Sequence, residues 1–191
     1  MNIIMVLALL VAASGAAAGP VTLAKDSRLW LEGTSTLHAF ASTATALSLD
    51  MALERAEGET LEAAALAGRP ARLTLRVPVA GLKSGHGGLD KNLREALKAA
   101  EFPDIAFVLD AYTVLPGTTA IRLELSGTLT VAGRARPVRL EAAVERRGGR
   151  LALSGEQALL MTDFGITPPK LMFGALKTGD KVSVKYRFEL E

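Results

Sequence analysis

The chain has 191 residues, no cysteine, and a formal net charge of +2 from 22 basic and 20 acidic residues. Disulfides, thiolate metal sites and a lipidated N-terminal cysteine are excluded, whereas export is not, because an oxidising compartment permits disulfides without requiring them. So small a net charge, with one Trp and two Tyr to stack on bases, gives no nucleic-acid footprint.

Residues 3–13 form an apolar run of signal-core length, too short to span a bilayer, and Ala16-Ala17-Ala18 offers the small-x-small pattern of a cleavage site. Residues 1–18 are therefore expected to be a signal peptide, although no Lys or Arg precedes the apolar run. Residues 19–191 are expected to form one domain of a periplasmic or secreted protein.

Period-two alternation dominates that domain. Leu47, Leu49, Met51 and Leu53 alternate with polar or small residues, as do Leu73, Leu75, Val77 and Val79. The same pattern holds for Ile121, Leu123, Leu125, Leu129 and Val131, and for Val138, Leu140, Ala142 and Val144. The last run sets Val182, Val184, Tyr186, Phe188 and Leu190 against Lys181, Ser183, Lys185, Arg187 and Glu189. With further strands around 27–33, 104–114 and 150–161, the count is about eight. Buried parallel strands would be continuously apolar, so the alternation predicts antiparallel sheet with one wet face. Gly133 with Arg134, and Gly148-Gly149, read as hairpin turns, and eight such strands close into a barrel or split into a sandwich.

One segment departs from this. Leu89, Leu93, Leu97 and Ala100 recur at helical spacing between Gly87-Gly88 and Pro103, which predicts one amphipathic helix over 89–100 covering a barrel end. Residues 56–68 read as a strand extension with a loop. Residues 161–180 are too long and too apolar for a simple turn, since connections of that length tend to be functional. Phe164 and the Leu171-Met172-Phe173 cluster must cover or line an apolar interior, and the Lys177-Thr178-Gly179-Asp180 run reads as a tight turn.

The residues expected to point inward are Trp30, Leu49, Met51, Leu75, Val77, Phe107, Leu125, Val184, Tyr186 and Phe188, none of them charged. An eight-stranded barrel is just wide enough to be filled by side chains or to hold one slim ligand, so pattern alone leaves both open. An aromatic content of only 5% favours a cavity. Of the two histidines, His38 reads as a hydrogen-bonded residue at a strand end or a head-group contact, and His86 as an exposed loop residue. An arrangement of His38 and Asp163 with a serine would make an enzyme acting on a lipid or ester, but the chain has no nucleophile-elbow motif. Two separated histidines and scattered acids predict no metal site.

Four stretches carry a family resemblance: 30–38 (WLEGTSTLH), 89–107 (LDKNLREALKAAEFPDIAF), 127–133 with Pro137-Val138, and 162–180. In this order they resemble the YceI-like family, across essentially all of residues 19–191. The resemblance implies a lipocalin-like antiparallel barrel that binds a polyisoprenoid lipid, a polyprenol or an isoprenoid quinone, without catalysis and without a cofactor. Storage or transport is the implied role, with transient membrane contact and a homodimer both compatible with it. A tail of about 40 heavy atoms at roughly 0.3 kcal/mol each would contribute on the order of 12 kcal/mol without one charged contact. A barrel with a filled core and a structural or stress role is the non-carrier alternative.

Overall fold

The computed structural model describes residues 17–69, 71–115, 121–147, 150–171 and 176–191. The expected signal peptide, except for Ala17 and Ala18, lies outside them, as do Met172 and Phe173.

Strand segments dominate: β1 (Ala17–Val21), β2 (Arg28–Ser35), β3 (Ala39–Ala44) and β4 (Ser48–Arg55), then β5 (Ala71–Pro78) and β6 (Leu82–Lys83). Next come β7 (Asp104–Leu115), β8 (Ile121–Val131), β9 (Arg134–Arg147), β10 (Arg150–Leu160), β11 (Lys170–Leu171) and β12 (Leu176–Leu190). Eleven of these lie on one antiparallel path, in the order β1-β4-β5-β7-β8-β9-β10-β12-β2-β3-β6, and β11 pairs with β12. The sequence reading of about eight is thus an undercount of segments, and the reason is kinking. β1 leads into β2, β3 into β4, and β5 into β6 through a short 3-10 turn at Val79–Gly81. Thr45 ties two of these kinks together, since its backbone N–H and its hydroxyl both donate to the Gly81 carbonyl at 2.9 Å. With each kinked pair taken as one strand, eight strands remain. β12 pairs with β2, so the curled sheet returns on itself, and closure removes exposed edges.

Two helices, not one, accompany the sheet among the described residues. The first, α1 (Leu61–Leu66), lies in the stretch read as strand and loop. Thr60 starts it, its side chain accepting from the Ala63 N–H at 3.1 Å. Ala64 and Ala65 are buried, and the Tyr112 hydroxyl donates to the Ala65 and Arg69 carbonyls at 3.1 and 2.8 Å, fixing α1 against the barrel. The second, α2 (Gly87–Ala96), is the expected amphipathic helix, but it ends earlier than Pro103 requires. Lys98 takes a left-handed φ of 51°, and the Lys98 and Ala99 N–H groups turn back onto the Glu95 and Arg94 carbonyls at 3.0 and 2.9 Å. Ala100, expected on the apolar face, is therefore exposed beyond the helix end.

Two turns also differ from expectation. The β8–β9 turn is Ala132-Gly133, with positive φ of 48° and 76°, so Arg134 already belongs to β9. The Lys177–Asp180 run lies inside β12, which is irregular between Thr178 and Val182 in its pairing with β2.

Candidate functional site

The inward faces of the strands do not meet. They enclose a cavity of about 740 Å³ whose lining, among the described residues, contains no Asp, Glu, Lys or Arg. Leu49, Leu75, Val77, Phe107 and Leu125 line it from β4, β5, β7 and β8, and Val184, Tyr186 and Phe188 from β12. Phe164 and Ile166, both buried, line it from the 161–169 connection, and Leu93, Ala96 and Leu97 from α2 and its end. The filled-core alternative does not describe this interior.

Strand glycines explain why the aromatic rings leave the lumen open. A Cβ at Gly33 would collide with the Phe40 ring, one at Gly127 with the Phe107 ring, and one at Gly155 with the Tyr186 phenol. Each ring thus lies against a bare stretch of backbone on the wall rather than across the lumen. Tyr186 stacks on Phe188, with ring centroids 5.2 Å apart, and its hydroxyl donates to the Glu141 carbonyl at 3.0 Å. Burial pushes that phenol up to about 12.

Two expected lining residues are elsewhere. Trp30 faces outward, because Leu29 and Leu31 on either side of it line the cavity. In a run of three apolar residues the alternation does not identify the inner face, and the largest ring is the misleading choice. The Trp30 indole N–H donates to Glu32 at 2.9 Å, and Lys185, its partner on β12, donates to the same carboxylate at 2.7 Å. These two bonds, Lys185's first, hold the Glu32 carboxyl below the usual range. Met51 packs against the buried core but does not line the cavity.

Among the lining residues, His38, His86, Gly88 and Leu160 are exposed, which places the opening at one end of the barrel. His38 lies on the β2–β3 turn, His86 at the N-terminal cap position of α2, and Leu160 at the end of β10. Polar lining groups also include Ser35, Asn92, Gln157 and Thr178. His86 was missed as a lining residue because a histidine between two glycines carries no periodic signal. Its placement depends on Asp90, which is buried and accepts from the Ser84 N–H at 2.8 Å and the Ser84 hydroxyl at 2.6 Å. Those two bonds hold the Asp90 carboxyl below its ordinary range. Among the described residues no hydrogen bond joins the His38 ring to Asp163, and no group of three or more His, Cys, Asp or Glu could hold a metal ion.

Fold and cavity together define a barrel-type protein built around one apolar internal chamber. The description of a YceI-like domain matches residues 31–190, and the chain belongs to the YceI-like family. Solved structures agree on the fold. BcnA of Burkholderia cenocepacia superposes with a TM-score of 0.67 at 15% identity, covering 86% of this chain and 96% of that one. A polyisoprenoid-binding domain from Saccharophagus degradans, implicated in plant cell wall breakdown, gives a TM-score of 0.63 at 13% identity, covering 90% and 97%. The Campylobacter jejuni YCEI protein gives 0.55 at 16%, covering 78% and 82%. No curated protein matches the sequence.

Proposed function

We propose that this protein binds a polyisoprenoid lipid, a polyprenol or an isoprenoid quinone, in its barrel cavity, and stores or transports it without chemical change. The observation that carries this reading is the uncharged lining of a chamber of about 740 Å³. That volume lies within the roughly 300–1,000 Å³ of small-molecule sites, and such a lining rejects any ligand whose buried part is charged. A long hydrocarbon satisfies it by area alone. The likeness to a domain described as polyisoprenoid-binding supports the same ligand class. Polar groups at the opening, His38 and His86 with Ser35 and Thr178, leave the head group near solvent.

Native mass spectrometry of protein purified from its own host, and again after incubation with polyprenol or quinone, tests the reading. A lipid adduct of matching mass is expected. Protein that carries none and takes up neither would overturn it. The same measurement on exported material tests localisation, because cleavage after Ala18 removes the mass of residues 1–18.

A further inference from the structure

The rim of the cavity carries an apolar side chain that the fold displays rather than hides. Leu37 is 73% exposed, the most exposed large hydrophobic residue among those described. It sits at the tip of the β2–β3 turn between Thr36 and the cavity-lining His38. Ser35 fixes that tip. Its hydroxyl donates to the His38 carbonyl at 2.9 Å and accepts from the Leu37 and His38 N–H groups at 3.4 and 3.3 Å. Leu160, 42% exposed, lies at the same opening. The remaining exposed large hydrophobic residue, Val108 on β7, does not line the cavity.

Cations gather at this end. The Thr36 N–H donates to the Lys177 carbonyl at 3.0 Å and its hydroxyl accepts from the Lys177 N–H at 3.3 Å. Lys177 pairs in turn with Lys170 on β11, and Lys181 pairs with Leu160. Lys83 precedes the Ser84 to His86 loop, while Arg134 packs on Gly165 and Arg136 donates to the Asp163 carbonyl at 2.9 Å. All six are exposed, and among the described residues none forms an ion pair with a carboxylate. Apart from Lys91 with Glu95 on α2, the ion pairs lie elsewhere, several of them near α1: Arg69 with Glu59, Arg146 with Glu62, and Arg150 with Glu189 and Glu191. Of the acids at this end, Asp90 is committed to Ser84 and Asp180 to the Thr162 N–H and hydroxyl, while Asp163, Glu101 and Asp104 are exposed and are outnumbered by the six cations.

We infer that this rim docks on an anionic phospholipid surface, with Leu37 inserted among the acyl chains and the flanking lysines and arginines on the head groups. An apolar anchor and a basic patch are each weak alone and sufficient together. Docking in this orientation presents the opening itself to the membrane, so that an apolar ligand passes between bilayer and chamber without crossing water. The inference rests on the lipid-binding reading only for what passes.

Co-sedimentation of the full chain with vesicles tests it, using phosphatidylcholine alone and phosphatidylcholine with phosphatidylglycerol in equal parts. The unaltered protein is expected to bind the anionic vesicles, to leave them as salt is raised, and to ignore the neutral ones. Leu37→Asp should weaken that partitioning at least about tenfold, and Lys83→Gln with Lys177→Gln by about 25-fold, roughly fivefold per lysine. Val108→Asp should change nothing, and unchanged thermal midpoints establish that the variants are folded. Binding to neither vesicle, which would leave a protein partner for this rim, overturns the inference. So does binding that ignores charge, or that Leu37→Asp leaves intact. Uptake of added polyprenol, read in parallel by native mass spectrometry, separates the two ideas. Uptake without docking sinks only the membrane surface, and docking without uptake sinks only the carrier.

Discussion

The Tyr186 hydroxyl donates to the Glu141 carbonyl at 3.0 Å, reaching from β12 across β10 to β9. It can do so because its partner in the register on β10 is Gly155, where a Cβ would collide with both that carbonyl oxygen and the phenol. Gly155→Ala is therefore expected to cost roughly 3 kcal/mol, combining overpacking against backbone with a lost hydrogen bond. Tyr186→Phe, which loses the bond alone, should cost about 1 kcal/mol. Chemical denaturation of the two variants measures both values, and equal losses would show that Gly155 is not shaped by Tyr186.

The same phenol makes stability depend on alkaline pH. Burial pushes Tyr186 up to about 12, against about 10 for an unfolded tyrosine. Because the folded value is the higher one, folding favours the protonated form. The associated stabilisation is complete below pH about 10 and is lost as pH rises through about 12. Burial also raises Tyr112, so the comparison must be made with Tyr186→Phe. Denaturant midpoints taken across that window should fall more steeply for the unaltered protein than for the variant. Parallel slopes would remove Tyr186 as the cause.

How far the sequence discloses this architecture depends on the local pattern. Residues 121–131 alternate with only Gly127 breaking the apolar parity, and β8 spans Ile121–Val131. Ala39–Ala44, by contrast, offers one large apolar residue, Phe40, and β3 is not evident from the residues alone. α1 is six residues long and rich in alanine, too short for a helical period to register. The cavity is half-legible. Single alternating positions such as Leu75 and Val184 identify the inner face, but the consecutive Leu29-Trp30-Leu31 does not. What keeps the lumen open is a pairing of glycines with rings across strands. Gly33 opposite Phe40 and Gly155 opposite Tyr186 are visible only once register is known.

The end of α2 gives a stability prediction in the other direction. Lys98 occupies the left-handed position that closes the helix, at φ 51°, where side chains with a Cβ are disfavoured. It is exposed, with no ion pair among the described residues. Lys98→Gly should therefore raise stability by about 0.5–1 kcal/mol, despite the greater freedom glycine gives the unfolded chain. A rise in thermal midpoint with unchanged lipid uptake is the expected result. A fall would mean that the Lys98 side chain contributes packing that outweighs its backbone strain.

Filling the chamber distinguishes a binding cavity from a tolerated void. Leu125 and Leu140 face each other across β8 and β9, and both line the cavity with their side chains only partly buried. Leu140→Trp would extend a ring into the free volume without displacing backbone, so stability should change by less than about 1.5 kcal/mol. If the chamber holds the isoprenoid tail, the added ring removes several of its contacts at once, and uptake of polyprenol should weaken at least about tenfold. Val108→Trp, on the outer face of β7, adds the same ring where it meets solvent and should leave uptake unchanged. Equal uptake by Leu140→Trp and the unaltered protein would place the lipid outside the barrel. The uncharged lining would then need another explanation.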